Sequence, residues 1–249
     1  MAQLSTRDIA YTVDGTRMLG MLVAPEGAHG LPAVVLFHDA FGLGEDAIAA
    51  AHRIARLGFA VFAADVWGDR VTPTDESQIG PLIGGMVGDR PRWLARVAAA
   101  HATAAGQPET DGASLVSMGF CFGGSSVLEH LRAGGGSRAV IAIHPGLDLL
   151  ADGWDEAHPD ARVLLCAGAA DPMATAEQRD ALEAALTGAG IDWEEHLYSG
   201  TRHAFTSPKA VRSPMPDVVA YHPRNAMRAW AATETFLLEL LAEPAAVPA

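Results

Sequence analysis

Residues 117–126 read SMGFCFGGSS, which sets Cys121 between Gly119 and Gly123 where an apolar run gives way to a helical one. A nucleophile on a tight strand-to-helix turn needs such small neighbours, because its backbone is strained and its head group must stand clear of the sheet. The helix that follows directs the positive end of its dipole at the sulfur and favours the thiolate. A cysteine among glycines is also a common small core residue. The assignment therefore rests on three further parts: a base, an acid to orient it, and donors for an oxyanion.

RVLLCAGAADPM puts Asp171 in a loop just past one strand, and YSGTRHAF puts His203 in a loop just past the next. Nucleophile, acid and histidine in that chain order are what an α/β-hydrolase requires. His203 would take the thiol proton and return a proton to the leaving group, while Asp171 would fix the imidazole tautomer and stabilise its cation. Singly, an Asp before Pro172 is a turn residue and a loop histidine is merely solvated. Three strand-end positions matching together carry the reading.

In HDAFGLGED the backbone N–H of Ala40 is the expected oxyanion donor beside that of Phe122. Asp39 lies several residues too early to cap a helix starting near Glu45, and is expected close to the thiol. His144, at the end of RAVIAIH, precedes Asp171 and so does not suit the base; it reads as a pocket-lining or structural histidine. Cys166, mid-strand in VLLCAG, reads as core.

The elements that must hold these residues follow from periodicity. Short apolar runs at 33–38, 59–65, 114–119, 138–144, 162–168 and 193–199 alternate with helical stretches at 45–57, 92–105, 123–133, 175–188 and 225–241. That is the pattern of a mainly parallel, doubly wound α/β sheet buried on both faces. Asp14-Gly15 between two strand-like runs predicts a hairpin at the sheet edge. Residues 69–91 are rich in turn formers and predict a loop-rich excursion over the pocket, and 243–249 read as a tail.

The 249 residues show no linker and read as one domain. The 17 Lys plus Arg are scattered against 30 Asp plus Glu, a formal net charge of −13, which argues against a nucleic-acid partner. Two cysteines in so long a chain point to reduced thiols and a cytoplasmic setting, and no apolar stretch predicts a membrane span.

With these residues in place the chain resembles the dienelactone hydrolase family of the α/β-hydrolases over nearly its whole length. HDAFGL, AADVWG, MGFCFGG, GAADPM, SGTRHAF and YHPRNAMRAWAATETFLLELL carry the resemblance. It implies hydrolysis of a small-molecule ester or lactone by Cys121 as nucleophile, His203 as base and Asp171 as its partner, with Asp39 as a carboxylate that holds the resting thiol. The family position of Asp39 is typically Glu, one methylene longer. The arginines that dienelactone-cleaving members use for a substrate carboxylate do not map to fixed positions; Arg90 and Arg202 are the candidates, with Arg70, Arg92 and Lys209 also near.

The expected protein is a cofactor-free and metal-free hydrolase, a monomer or weak homo-oligomer, that works through a thioester acyl-enzyme. A glutamine amidotransferase would need His-x-Glu, whereas Ala204 and Phe205 follow His203. Metal-dependent hydrolysis lacks paired ligand spacing. A thiol redox sensor would want a resolving cysteine, and a non-catalytic small-molecule-binding protein on this fold would be signalled by loss of a triad member.

Overall fold

A computed structural model describes residues 3–242, so the expected tail lies outside the described residues. Asp14 and Gly15, with φ of 48° and 76°, form the tight turn that joins β1 (Leu4–Val13) to β2 (Thr16–Pro25). Positive φ at both central residues matches the right-handed twist of paired strands. β2 pairs antiparallel with β4 (Ala60–Ala64), which makes the hairpin the edge of one eight-stranded sheet.

The remaining strands are β3 (Leu31–Phe37), β5 (Thr110–Phe120), β6 (Ala139–Ile143), β7 (Arg162–Gly168) and β8 (Asp192–Tyr198). The sheet order is β1-β2-β4-β3-β5-β6-β7-β8, parallel from β4 onward. Alternate residues of one strand supply two cores. Val35 and Phe37 join the cluster under α3 (Arg90–Ala105), α4 (Phe122–Arg132) and α5 (Ala176–Gly188), while Val34 and Leu36 join the one under α1 (Glu45–Ala55) and α6 (Pro223–Ala242). Strands sandwiched in this way must be apolar on both faces, which is why they read as unbroken runs.

Residues 69–91 depart from the expectation of a loop. They hold α2 (Glu76–Val87), which starts where the Asp75 side chain accepts the Ser77 N–H. Pro81 and three glycines lower its helix propensity, but Leu82, Ile83 and Val87 pack on the core and Met86 is buried in it. Tertiary burial outweighs propensity here. Among the described residues no helix is long and apolar enough to cross a membrane.

Candidate active site

Cys121 alone links β5 to α4, at φ 51° and ψ −118°, a conformation an L-residue adopts only under constraint. Its N–H donates to the Ile143 carbonyl at 3.0 Å, and its carbonyl accepts from the Ser125 N–H at 3.0 Å. The glycines are sterically required: a Cβ on Gly119 would lie 2.1 Å from the Gly123 carbonyl, and one on Gly123 would lie 2.3 Å from the Phe37 oxygen. The sulfur-bearing residue stays half-buried. Phe122 is the first helical residue of α4, so its N–H has no intrahelical acceptor and remains available at the elbow.

The loops after β7 and β8 bring Asp171 and His203 together. His203 Nδ1 donates to Asp171 Oδ2 at 2.8 Å, and Asp171 Oδ1 accepts the Met173 N–H at 2.8 Å, so both carboxylate oxygens are engaged. The His203 backbone is tied to Val218 and Ala220 by hydrogen bonds of 3.0 and 3.1 Å. Its Nε2 is buried without a hydrogen-bond partner. Burial pulls the imidazole pKa down, but the charge of Cys121 and the Asp171 hydrogen bond hold it up at about 10. The cation on this ring is thus favoured when Cys121 and Asp171 carry charge.

Asp39 lies at the start of the loop after β3, where its Oδ1 accepts the Phe41 N–H at 2.9 Å. Burial pushes its carboxyl up to about 6, against the pull of that N–H. His38 beside it is a residue the sequence reading passed over. The Val66 N–H donates to His38 Nε2 at 3.1 Å, which leaves Nδ1 as the donor to the Asp39 carbonyl at 2.6 Å. Burial lowers the His38 pKa and keeps the ring in this neutral form. The signal was available: a polar residue closing the apolar run AVVLFH has to find partners inside.

His144 is buried at φ 40°, with Nε2 2.8 Å from Thr206 Oγ1 and its ring edge-on to His203 at 5.3 Å. Burial lowers its pKa well below the ordinary value. Together with Asp39 it lines a cleft of about 340 Å³ between α1 and α6, to which residues 69–91 contribute nothing.

The structure does not bring the two candidate arginines to this cleft. Arg90 pairs with buried Glu129 at 2.8 Å and donates to the Leu149 carbonyl at 3.2 Å. Arg202 donates to the Pro216 carbonyl at 2.7 Å and lies 3.3 Å from Asp217. Cys166 is fully buried on β7, where burial pushes its thiol up to about 12.

A mainly parallel sheet flanked by helices, with a strained elbow closing its central strand, defines an α/β-hydrolase. The chain belongs to the dienelactone hydrolase family, whose profile matches residues 18–241. Among solved structures it is similar to m3DLH, with 37% identity and a TM-score of 0.88 over 95% of this chain and 98% of that one. It is also similar to a dienelactone hydrolase-like promiscuous phosphotriesterase from metagenomic libraries, at 34% identity and a TM-score of 0.86 over 95% and 98%. The dienelactone hydrolase of Anabaena variabilis, 20% identical, shares the fold at a TM-score of 0.66 over 95% and 98%. No curated protein matches the sequence. By this membership the protein is an ester or lactone hydrolase.

Proposed function

We propose that the chain cleaves a small ester or lactone through a thioester acyl-enzyme on Cys121. The observation that carries this reading is the His203 ring, fixed to Asp171 through Nδ1 while its buried Nε2 is left without a protein hydrogen bond and Cys121 raises its pKa. Nε2 takes the thiol proton, and sulfur attacks the ester carbonyl carbon. The electron pair displaced onto oxygen is held by the Ala40 and Phe122 N–H groups. As the tetrahedral intermediate collapses, the C–O bond breaks and the alkoxide takes the proton from His203. Water then attacks the thioester and gives its proton to Nε2. The C–S bond breaks, the acid departs and the proton returns to sulfur.

The test is hydrolysis of p-nitrophenyl acetate, a dienelactone and a phosphotriester by the wild type, Cys121→Ala and His203→Ala, with mass spectrometry of the Cys121 peptide. The phosphotriester is included because a similar structure, 34% identical, is that of a promiscuous phosphotriesterase. Each variant is expected to lose on the order of 10³-fold or more in kcat, with an acyl adduct on Cys121 of the wild type. Undiminished turnover in Cys121→Ala would overturn the mechanism.

A further inference from the structure

The cleft beside the site has a wall composition that speaks to substrate choice. Each of its inner boundaries is a neighbour of a proposed reacting group: Phe120 precedes Cys121, Asp39 precedes Ala40, and Thr206 holds His144, whose ring abuts His203 at 5.3 Å. From there it runs outward between Ala47 and Ala50 of α1 and Ala226, Met227 and Trp230 of α6. Small residues on one helix facing an indole and a thioether on the other leave a slot suited to a flat or branched apolar group.

Its charges are nearly all committed within the protein. Arg53 meets Glu234 at 2.6 Å and lays its guanidinium 4.2 Å over Trp230. Asp46 accepts from the Ser207 hydroxyl at 3.0 Å and lies 3.4 Å from the Lys209 ammonium. Asp39 has one oxygen on the Phe41 N–H and, among the described residues, forms no ion pair. An anionic substrate group entering the cleft would meet that carboxylate, while Arg90 and Arg202 are held elsewhere by Glu129 and by Asp217.

We infer that this α1–α6 cleft is the specificity pocket, and that it selects esters bearing an uncharged aromatic or branched aliphatic group over esters bearing a carboxylate. The inference rests on the Cys121 reading, since what ties the cleft to the chemistry is that its inner wall is formed by Phe120, Asp39 and His144, the neighbours of Cys121, Ala40 and His203. The substrate class is thereby moved away from acidic lactones and toward neutral esters, whichever side of the ester bond carries the apolar group.

The experiment compares kcat/KM across two neutral series, p-nitrophenyl esters of growing acyl chain and acetate esters of growing alcohol. A carboxylate-bearing ester isosteric with a neutral member is added to each. It is run on the wild type and on Ala49→Trp and Met227→Trp, exposed cleft-lining positions on the two facing helices. The neutral ester is expected to exceed its carboxylate isostere about tenfold or more, and each filling variant to lower the large-to-small ratio about tenfold in at least one series. Thermal melts establish that the variants are folded. Equal rates for neutral and anionic isosteres, or ratios unmoved in both series by both variants, would overturn the inference. Failure of the Cys121 reading looks different: acetate turnover would then survive Cys121→Ala.

Discussion

Trp67 donates its indole N–H to the Ala40 carbonyl at 3.2 Å and stacks on Phe122 with ring centroids 4.6 Å apart. One buried side chain thus touches both residues whose backbone N–H groups are the proposed oxyanion donors. Trp67 is held in turn by Arg96, whose Nη1 donates to the Val66 and Trp67 carbonyls at 2.6 and 3.0 Å. Trp67→Phe keeps an aromatic ring and removes the donor that fixes the Ala40–Phe41 peptide, loosening the backbone next to the Ala40 N–H. The expected result is a fall in kcat of about tenfold at nearly constant KM, smaller than the loss of a donor outright. Steady-state kinetics on folded protein checks it; a lowered melting temperature with unchanged kcat would assign Trp67 to stability alone.

The glycines divide into those the elbow needs and those it does not. A Cβ on Gly123 would sit 2.3 Å from the Phe37 oxygen and 2.6 Å from the His38 oxygen, both backbone atoms that cannot swing aside. Gly123→Ala is expected to cost more than about 3 kcal/mol or to prevent folding. Gly84, inside α2, has nothing within 4 Å of its Cβ position. Gly84→Ala is expected to stabilise by about 0.5–1 kcal/mol. Urea denaturation midpoints separate the two.

These contrasts also mark what could be read from the sequence. The strands and the hairpin were legible because strands buried on both faces and an Asp14-Gly15 turn leave strong local signatures. So was the chain order of Cys121, Asp171 and His203, because each stands at a turn or in a loop just past a strand-like run. The α2 helix was hidden by Pro81 and its glycines, since the burial of Met86 that rewards it is a tertiary contact. The α1–α6 cleft was hidden for the same reason: Ala47 and Trp230 are nearly two hundred residues apart in the chain, and periodicity reports which face of a helix is apolar, not what it faces. The commitment of Arg90 to Glu129 is likewise a long-range pairing that no local pattern announces.

Beneath the elbow, His101 and His130 stack at 4.4 Å, with His101 hydrogen-bonded to the Val97 carbonyl and the Ser117 hydroxyl at 2.8 and 2.6 Å. Burial, with the adjacent His130, pushes His101 down to about 3, and burial pushes His130 down to about 4. An unfolded histidine titrates near 6.5. Between 6.5 and these folded values the unfolded chain binds protons the folded one refuses, so stability present above pH 6.5 is lost as pH falls. Each histidine contributes a slope of about 1.4 kcal/mol per pH unit across its window. His130→Gln is expected to flatten the decline between pH 6 and 4 relative to the parent, as read from urea midpoints; parallel curves would refute the assignment.

Asp39 offers a sharper pH test, because its titration falls inside the working range and it senses the charge of His203. Its carboxyl is pushed up to about 6 by burial, with the Phe41 N–H and the Lys209 and His203 charges pulling the other way and Asp46 adding to the rise. A folded value above the unfolded one means that the folded state favours the protonated form, so stability declines as pH rises from about 4 to 6. Above that window the ionised carboxylate favours the His203 cation that accompanies the Cys121 thiolate. Two opposite consequences follow for Asp39→Asn, whose side-chain oxygen still accepts the Phe41 N–H. At pH 7 the variant is expected to be more stable than the parent, and its kcat/KM on a neutral ester to be several-fold lower and to lose the inflection near pH 6. A variant that is stabilised yet keeps the inflection would move that titration to another group and leave Asp39 as a loop residue only.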